Sequence, residues 1–244
     1  MTEAVKKFIE EHIALIETSR WDDIYKEAEK ILTWRNTGEF TEVILNAGLH
    51  PEAYMDNIPA NFLRDSNITS FNIPDNIESI GYNAFENCRK LVNVNISRNL
   101  NCIYAEAFSK CYLLSHIDLP DTIKTIGPYA FNGCKSFTSI IIPNNIKYIY
   151  EGVFRGCENI TSLVIPDSVS RLGGAAFIDC RGLKTVELPR FIEFDEKVFD
   201  DCGYIDITYN GSREEWKHRY YPLAFDNTTF IAHCTDGDVA KEDL

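Results

Sequence analysis

Cysteine and histidine carry the most reactive side chains in this sequence, which holds eight cysteines and five histidines. Five of the cysteines recur at one constant interval: Cys88, Cys111, Cys134, Cys157 and Cys180. Zinc sites place cysteines in close pairs such as C-x-x-C with further ligands, and this chain has no such pair. One cysteine per interval, in an apolar register beside phenylalanine, is typical of a small buried side chain. We therefore expect no metal ion and no cofactor.

The histidines do not indicate catalysis either. None lies in H-E-x-x-H or a similar metal-binding spacing, and the G-x-S-x-G, P-loop and dinucleotide-binding motifs are missing. His116 and Asp118 lie two residues apart on one expected strand, so they face the same way and could form a proton-transfer pair. Because no nucleophile accompanies them, we interpret them as solvent-facing polar residues and predict that the protein is not an enzyme.

The 23-residue period of the cysteines extends to four further apolar registers. One of them comprises only phenylalanines: Phe62, Phe85, Phe108, Phe131, Phe154 and Phe177. After Leu188 the period shortens by one residue. Phe199 follows Phe177 by 22 positions, and Cys202 follows Cys180 by 22 positions. Such registers predict stacked repeat units, since no single unit can bury its apolar face alone.

One unit, residues 114–134, shows how a coil is built. It begins with L-x-x-I-x-L, which predicts a short strand whose alternate residues point inward. Pro120 ends this strand because proline cannot donate to a ladder, and a second extended stretch follows up to the turn at Gly127. The last three apolar residues predict a short turn or a one-turn helix on the far side: Ala130, Phe131 and Cys134.

Residues 114–134 read L-x-x-I-x-L-P-x-x-I-x-x-I-G-x-x-A-F-x-x-C, which resembles the BspA-like leucine-rich repeat family throughout. The resemblance covers residues 58–207. It implies an α+β repeat protein, a right-handed leucine-rich-repeat solenoid of 23-residue coils with a cap at each end. Within that family, the sequence is similar above all to the non-secreted members from gut bacteria and their phages or mobile elements. Such repeats are mostly binding scaffolds.

The two ends of the chain do not carry the repeat. Residues 1–57 place apolar residues at helical spacing and predict a helical N-terminal cap with twelve acidic and six basic residues. Its acidic surface is either a solvated face or a docking surface for a basic partner. Trp216, Tyr220, Tyr221 and Phe225 predict a small C-terminal cap within residues 208–244.

Charge and hydropathy restrict the partner and the compartment. The net charge of −13 argues against nucleic acid or an anionic membrane as the main partner. No apolar run approaches the roughly 20 residues of a membrane span. Glu10, Glu11 and His12 interrupt the apolar positions where a secretory signal would require a continuous run. We therefore expect a cytoplasmic protein with reduced thiols, without membrane insertion.

The candidate binding residues are the outward-facing ones of the first strand in each coil. Stacking places them in two parallel columns: Ser70, Asn72, Asn93, Asn95, His116, Asp118, Ser139, Ile141, Ser162, Val164, Thr185 and Glu187. Ile141 and Val164 are apolar neighbours in one column, and exposed β-branched neighbours often mark a contact site. Tolerated surface variation is the alternative interpretation.

From these columns we predict a non-catalytic protein-binding scaffold whose protein partner docks on the strand face. Two alternatives stay open. The protein could be a phage or mobile-element inhibitor or decoy that uses its acidic surface against a host protein. It could also be a surface adhesin or glycan-binding repeat protein.

Overall fold

The computed structural model describes residues 57–244 except 59, 74, 76, 220 and 221. The predicted helical cap of residues 1–57 therefore lies outside the described residues, apart from Asn57. In the described part the chain forms a solenoid of about seven turns with few helices. No helix of this part combines the length and the apolar character that a membrane span requires.

Short strands dominate the described residues, because proline and tight turns interrupt each coil. The strands are β1 (Asn57–Ile58), β2 (Ser70–Asn72), β3 (Ser79–Ile80), β4 (Asn93–Asn95), β5 (Cys102–Ile103), β6 (Thr125–Ile126), β7 (Tyr148–Ile149), β8 (Ser162–Val164), β9 (Arg171–Leu172), β10 (Thr185–Leu188), β11 (Glu193–Phe194), β12 (Gly203–Tyr209), β13 (Thr228–Cys234) and β14 (Gly237–Ala240). The helices are α1 (Arg213–Arg219) and two 3₁₀ helices, Pro222–Ala224 and Lys241–Asp243.

Each coil has three sides. The front side carries β2 and β4 as one parallel pair and β8, β10, β12 and β13 as a parallel sheet, which β14 closes in antiparallel orientation. The back side carries β1, β3, β5 and β6 in one sheet and β7, β9 and β11 in another, all parallel. The third side, the turn side, joins each back strand to the next front strand.

The turn side consists of consecutive turns rather than a helix. Tyr129 and Gly133 have left-handed φ angles of 57° and 73°, and these angles interrupt a right-handed helical path on both sides of Phe131. Backbone bonds to the next coil take over, as in the donation from Phe131 N to Val153 O at 2.9 Å. Of the two structures expected for this segment, the turn is therefore the one that forms.

The core contains a continuous stack of phenylalanine rings. Successive rings lie 5.0–5.7 Å apart with interplanar angles of at most 14°: Phe85, Phe108, Phe131, Phe154, Phe177 and Phe199. All six are buried. Because each inner ring contacts one ring on either side, removal of one would leave a cavity shared by three coils.

The cysteine register lies beside the phenylalanine stack and is buried, as expected of small core residues. The Cys134 thiol donates to the Phe108 carbonyl of the preceding coil at 3.3 Å, and the Cys157 thiol donates to the Phe131 carbonyl at 3.4 Å. Burial raises the pKa of both thiols, so they stay protonated as donors. The same two carbonyls also accept a backbone N–H within their own coil, from Cys111 and Cys134 respectively, so each thiol is a second donor that joins one coil to the next.

The ladders are interrupted in the middle of the solenoid. No sheet joins β6 to β7, and in the front segments 116–118 and 139–141 the described residues form one isolated bridge, between Asn93 and His116. Phe137 occupies a core register that holds leucine or isoleucine in the other coils, and its ring lies 5.6 Å from that of Phe131. We attribute the interruption to this larger side chain, because the stacked rings are also most widely spaced here.

The C-terminal residues continue the front side before they close it. β12 crosses position 207, where the sequence suggested the end of the repeats, and it pairs with β10 and β13. The Trp216 ring packs 5.2 Å from the Tyr209 ring and 6.2 Å from that of Phe225, so all three large side chains cover the end of the core. Tyr220 and Tyr221, which the sequence assigned to the same cap, lie outside the described residues.

Candidate functional site

We use the name strand face for the outward columns of the front side. The structure places all twelve predicted residues there, and all twelve are exposed. Strand pairing aligns them in register, with Ser70 opposite Asn93 and Thr185 opposite Ser162. The columns predicted from the repeat therefore exist. Their central residues include those of the front segments 116–118 and 139–141, where regular strand pairing is interrupted.

The centre of the strand face is apolar. Ile141 and Val164 are 77% and 54% exposed, although the inward neighbours Ile140 and Leu163 are buried. Each lies two positions after an exposed serine, Ser139 or Ser162. The strand orientation predicted from the sequence is thus confirmed, because a slip by one residue would exchange buried and exposed side chains.

The part of the strand face before Ile141 is polar. His116 and Asp118 form a hydrogen bond of 2.7 Å between Nε2 and Oδ1, and both side chains are exposed. The pair is therefore hydrated, as expected for solvent-facing residues. In the coils before it the columns carry amides and a hydroxyl: Ser70, Asn72, Asn93 and Asn95.

The strand face continues into the cap, which the sequence analysis missed. Asp206 and Thr208 of β12 pair with Thr185 and Glu187, and Ile231 and His233 of β13 pair with Asp206 and Thr208 in turn. The available signal was the alternation of apolar and polar residues over 205–209. This signal was obscured because the spacing is two residues shorter than the repeat period. Asp206 follows Thr185, and Thr208 follows Glu187, by 21 positions instead of 23.

Acidic groups dominate this added end of the strand face. His233 lies between two carboxylates, with its Nδ1 at 3.0 Å from Asp238 and its Nε2 at 3.8 Å from Asp206. The Tyr204 hydroxyl also donates to Asp206 at 2.9 Å, which raises the pKa of that phenol. Glu187 forms no ion pair with the described residues, so the end retains an excess of negative charge.

A shallow groove of about 580 Å³ adjoins the strand face at the C-terminal ends of its strands. Val164 and Glu187 form its border with the strand face, and Pro166, Pro189 and Tyr209 are among its other lining residues. Because Val164 belongs to both surfaces, a partner that covers the apolar centre can extend into this groove.

Comparison with known proteins identifies the repeat. The family model described as BspA type leucine rich repeat region matches residues 56–184 and 147–232, in six copies. The chain belongs to the BspA-type leucine-rich repeat family. Homologous repeats of this kind are generally non-catalytic scaffolds. In the described part of this BspA-type protein, no group of three or more histidine, cysteine, aspartate or glutamate side chains is arranged to hold a metal ion.

Two solved structures share the fold of this BspA-type protein. A leucine rich cell surface protein from Faecalibacterium prausnitzii A2-165 is 23% identical, with a TM-score of 0.54 over 69% of this chain and 55% of its own. A leucine-rich repeat protein from Eubacterium ventriosum ATCC 27560 is 22% identical, with a TM-score of 0.52 over 57% of this chain and 38% of its own. The chain thus spans about half the length of the first relative, and at these identities the likeness concerns the fold alone. No curated protein matches the chain.

Proposed function

We propose that this protein is a non-catalytic scaffold that binds a protein partner through its strand face. The observation that carries the proposal is the exposure of Ile141 and Val164, 77% and 54%, at the centre of two polar columns. Adjacent apolar side chains surrounded by polar ones have the composition of an interface core with its rim. Neither side chain contributes to the buried core, so the fold does not explain why both are apolar.

The scaffold is suited to such binding because it is preorganised. The phenylalanine stack and the thiol-to-carbonyl bonds hold successive coils in one register. Side chains on a rigid framework lose little conformational entropy when a partner docks, which favours affinity. The extended strand face has eight rows, the last of them on β13 of the cap, and a spacing of roughly 4.8 Å gives it a length of about 34 Å. That length is sufficient for a standard protein interface of about 800 Å² per partner.

Charge suggests how the partner is oriented. Glu187, Asp206 and Asp238 lie at the C-terminal end of the strand face, and the whole chain carries a net charge of −13. A partner with basic groups would therefore place them at this end. The same acidic surface supports the alternative function as a phage or mobile-element decoy that occupies a basic site on a host protein.

The proposal is tested by site-specific photocrosslinking in cells of the source organism. A photoreactive amino acid replaces Ile141 in one variant and Lys124, an exposed residue that precedes β6 on the back side, in a matched variant. We expect a defined crosslinked protein from position 141 and none from position 124. Crosslinks to one protein from position 124 alone would contradict binding through the strand face.

The compartment belongs to the proposal as well. We propose a cytoplasmic location, because six buried cysteine thiols donate to backbone carbonyl oxygens and because a reducing compartment preserves that arrangement. The Faecalibacterium prausnitzii relative is a cell surface protein, which supports the adhesin alternative. Protease treatment of intact cells distinguishes the two: a surface protein is degraded, and a cytoplasmic one is protected until lysis.

A further inference from the structure

A second concavity lies away from the strand face, at the corner where the back strands meet the turn side. We call it the glycine notch, because Gly173 and Gly174 form its floor. The notch has a volume of about 730 Å³. Tyr148 and Tyr150 line one wall with Glu151, and Asp195 and Glu196 line the other wall.

The two glycines differ in what the backbone requires of them. A Cβ on Gly173 would lie 2.8 Å from the backbone of Tyr150 and Glu151, so the close approach of the preceding coil demands glycine there. A Cβ on Gly174 would meet only the Glu196 carbonyl oxygen at 3.5 Å, an ordinary contact. Other coils carry a side chain at the position of Gly174: Tyr82, Ala105, Pro128, Glu151 and Glu196. The fold thus leaves the notch open without needing the glycine.

The first wall offers aromatic surface. The Tyr148 and Tyr150 rings lie 4.9 Å apart, and Tyr150 is 38% exposed. Glu151 also lines this wall, and its carboxylate accepts a hydrogen bond from the Tyr129 hydroxyl of the preceding coil. A planar cation between an aromatic face and a carboxylate gains both cation–π attraction and charge-assisted hydrogen bonds.

The carboxylates outnumber the basic groups of the notch. Arg171 is its one basic lining residue, and its Nε already donates to Asp195 at 2.9 Å. Asp195 correspondingly raises the pKa of Arg171. Glu151 and Glu196 form no ion pair with the described residues, so three carboxylates against one guanidinium leave the lining with two excess negative charges.

We propose that the glycine notch binds the guanidinium group of an arginine side chain on a protein partner. Guanidinium is planar, stacks on tyrosine and presents a donor pair that matches a carboxylate, whereas ammonium lacks this geometry. A sugar ring would also stack on tyrosine, but it gains nothing from two uncompensated carboxylates. The site is separate from the strand face and does not depend on the function proposed for it.

The test uses N-acetyl-arginine methylamide as the probe, titrated into the ¹⁵N-labelled full chain. We expect saturable shifts of the Gly173, Gly174 and Glu196 amide signals. The citrulline analogue has the same shape without the charge, and we expect it to bind at least about tenfold more weakly. Gly174→Leu fills the notch with its Cβ only in ordinary contact with the Glu196 carbonyl oxygen, and we expect it to abolish the shifts.

Charge variants decide the question even where Gly174→Leu does not fold. Glu196→Gln should weaken the arginine probe about three- to tenfold. Glu214→Gln on α1 removes an exposed carboxylate outside the notch and should leave binding unchanged, as should the double variant Ile141→Asp with Val164→Asp. Equal affinity for citrulline, or unchanged binding by Glu196→Gln, would overturn the proposal. Displacement of the probe by methyl glucoside at lower concentration would reassign the notch to glycans.

Discussion

The double variant Ile141→Asp with Val164→Asp tests the strand face most directly. Full burial of a side chain of this size stabilises by roughly 1.5–3 kcal/mol. Ile141 and Val164 are 77% and 54% exposed in the free protein. A partner that covers both side chains therefore gains part of this burial free energy from each of them. We therefore expect the double variant to lose at least about 2 kcal/mol of binding free energy, about a 30-fold higher Kd.

The fold should tolerate the same two changes. Both side chains point away from the core, so we expect the free energy of unfolding to change by less than about 0.5 kcal/mol. Calorimetric titration with the partner identified by crosslinking measures the Kd of each variant, and urea unfolding measures its free energy of unfolding. Leu113→Asp with Leu223→Asp is the matched control, because these leucines are 48% and 47% exposed outside the strand face.

Two results would refute the reasoning. Marked destabilisation of the Ile141→Asp, Val164→Asp variant would show that the side chains stabilise the fold, and the surface argument would fail. Unchanged affinity of a well-folded variant, together with weaker binding by the Leu113→Asp, Leu223→Asp control, would move the interface off the strand face.

Three further predictions concern stability and charge. Phe131→Ala should cost about 3–5 kcal/mol in urea unfolding, since its ring stacks on Phe108 and Phe154; an unchanged midpoint would exclude the stack. Burial raises the pKa of Cys202 to about 12 from 9.0, so the unfolded chain releases this proton first and stability should fall between pH 9 and 12. Cys202→Ala should flatten that profile, and an identical slope would contradict the assignment. Association with a basic partner should slow as salt rises, whereas a salt-independent association rate would remove the electrostatic part of the proposal.

The repeat and its strand face could be derived from the sequence because their periods are short and regular. Stacking at the repeat period aligns equivalent residues, and alternation along a strand separates inward from outward side chains. These two rules locate Phe131 in the core and Ile141 at the surface without further information. They hold across the ladder interruption as well, since burial depends on side-chain direction more than on the backbone bonds.

The turn side could not be derived in the same way. Tyr129 and Glu106 both adopt a left-handed φ of 57°, although neither is glycine. Bonds to the next coil stabilise that conformation, as in the donation from Glu106 N to Pro128 O at 3.0 Å. These bonds join residues of different coils that lie far apart along the chain, so local propensity does not predict them.

By itself, then, the sequence determined the repeat family, the buried registers and twelve exposed columnar residues, because each depends on a period along the chain. Only the tertiary structure decided that the columns extend through Asp206 and His233, since the shortened spacing becomes visible through strand pairing. The tertiary structure also distinguishes the roles of the adjacent residues Gly173 and Gly174. Sequence shows two adjacent glycines in a turn, whereas the packed coils show that Gly173 avoids a backbone clash and Gly174 opens a notch. The distinction rests on distances between coils, which no single repeat contains.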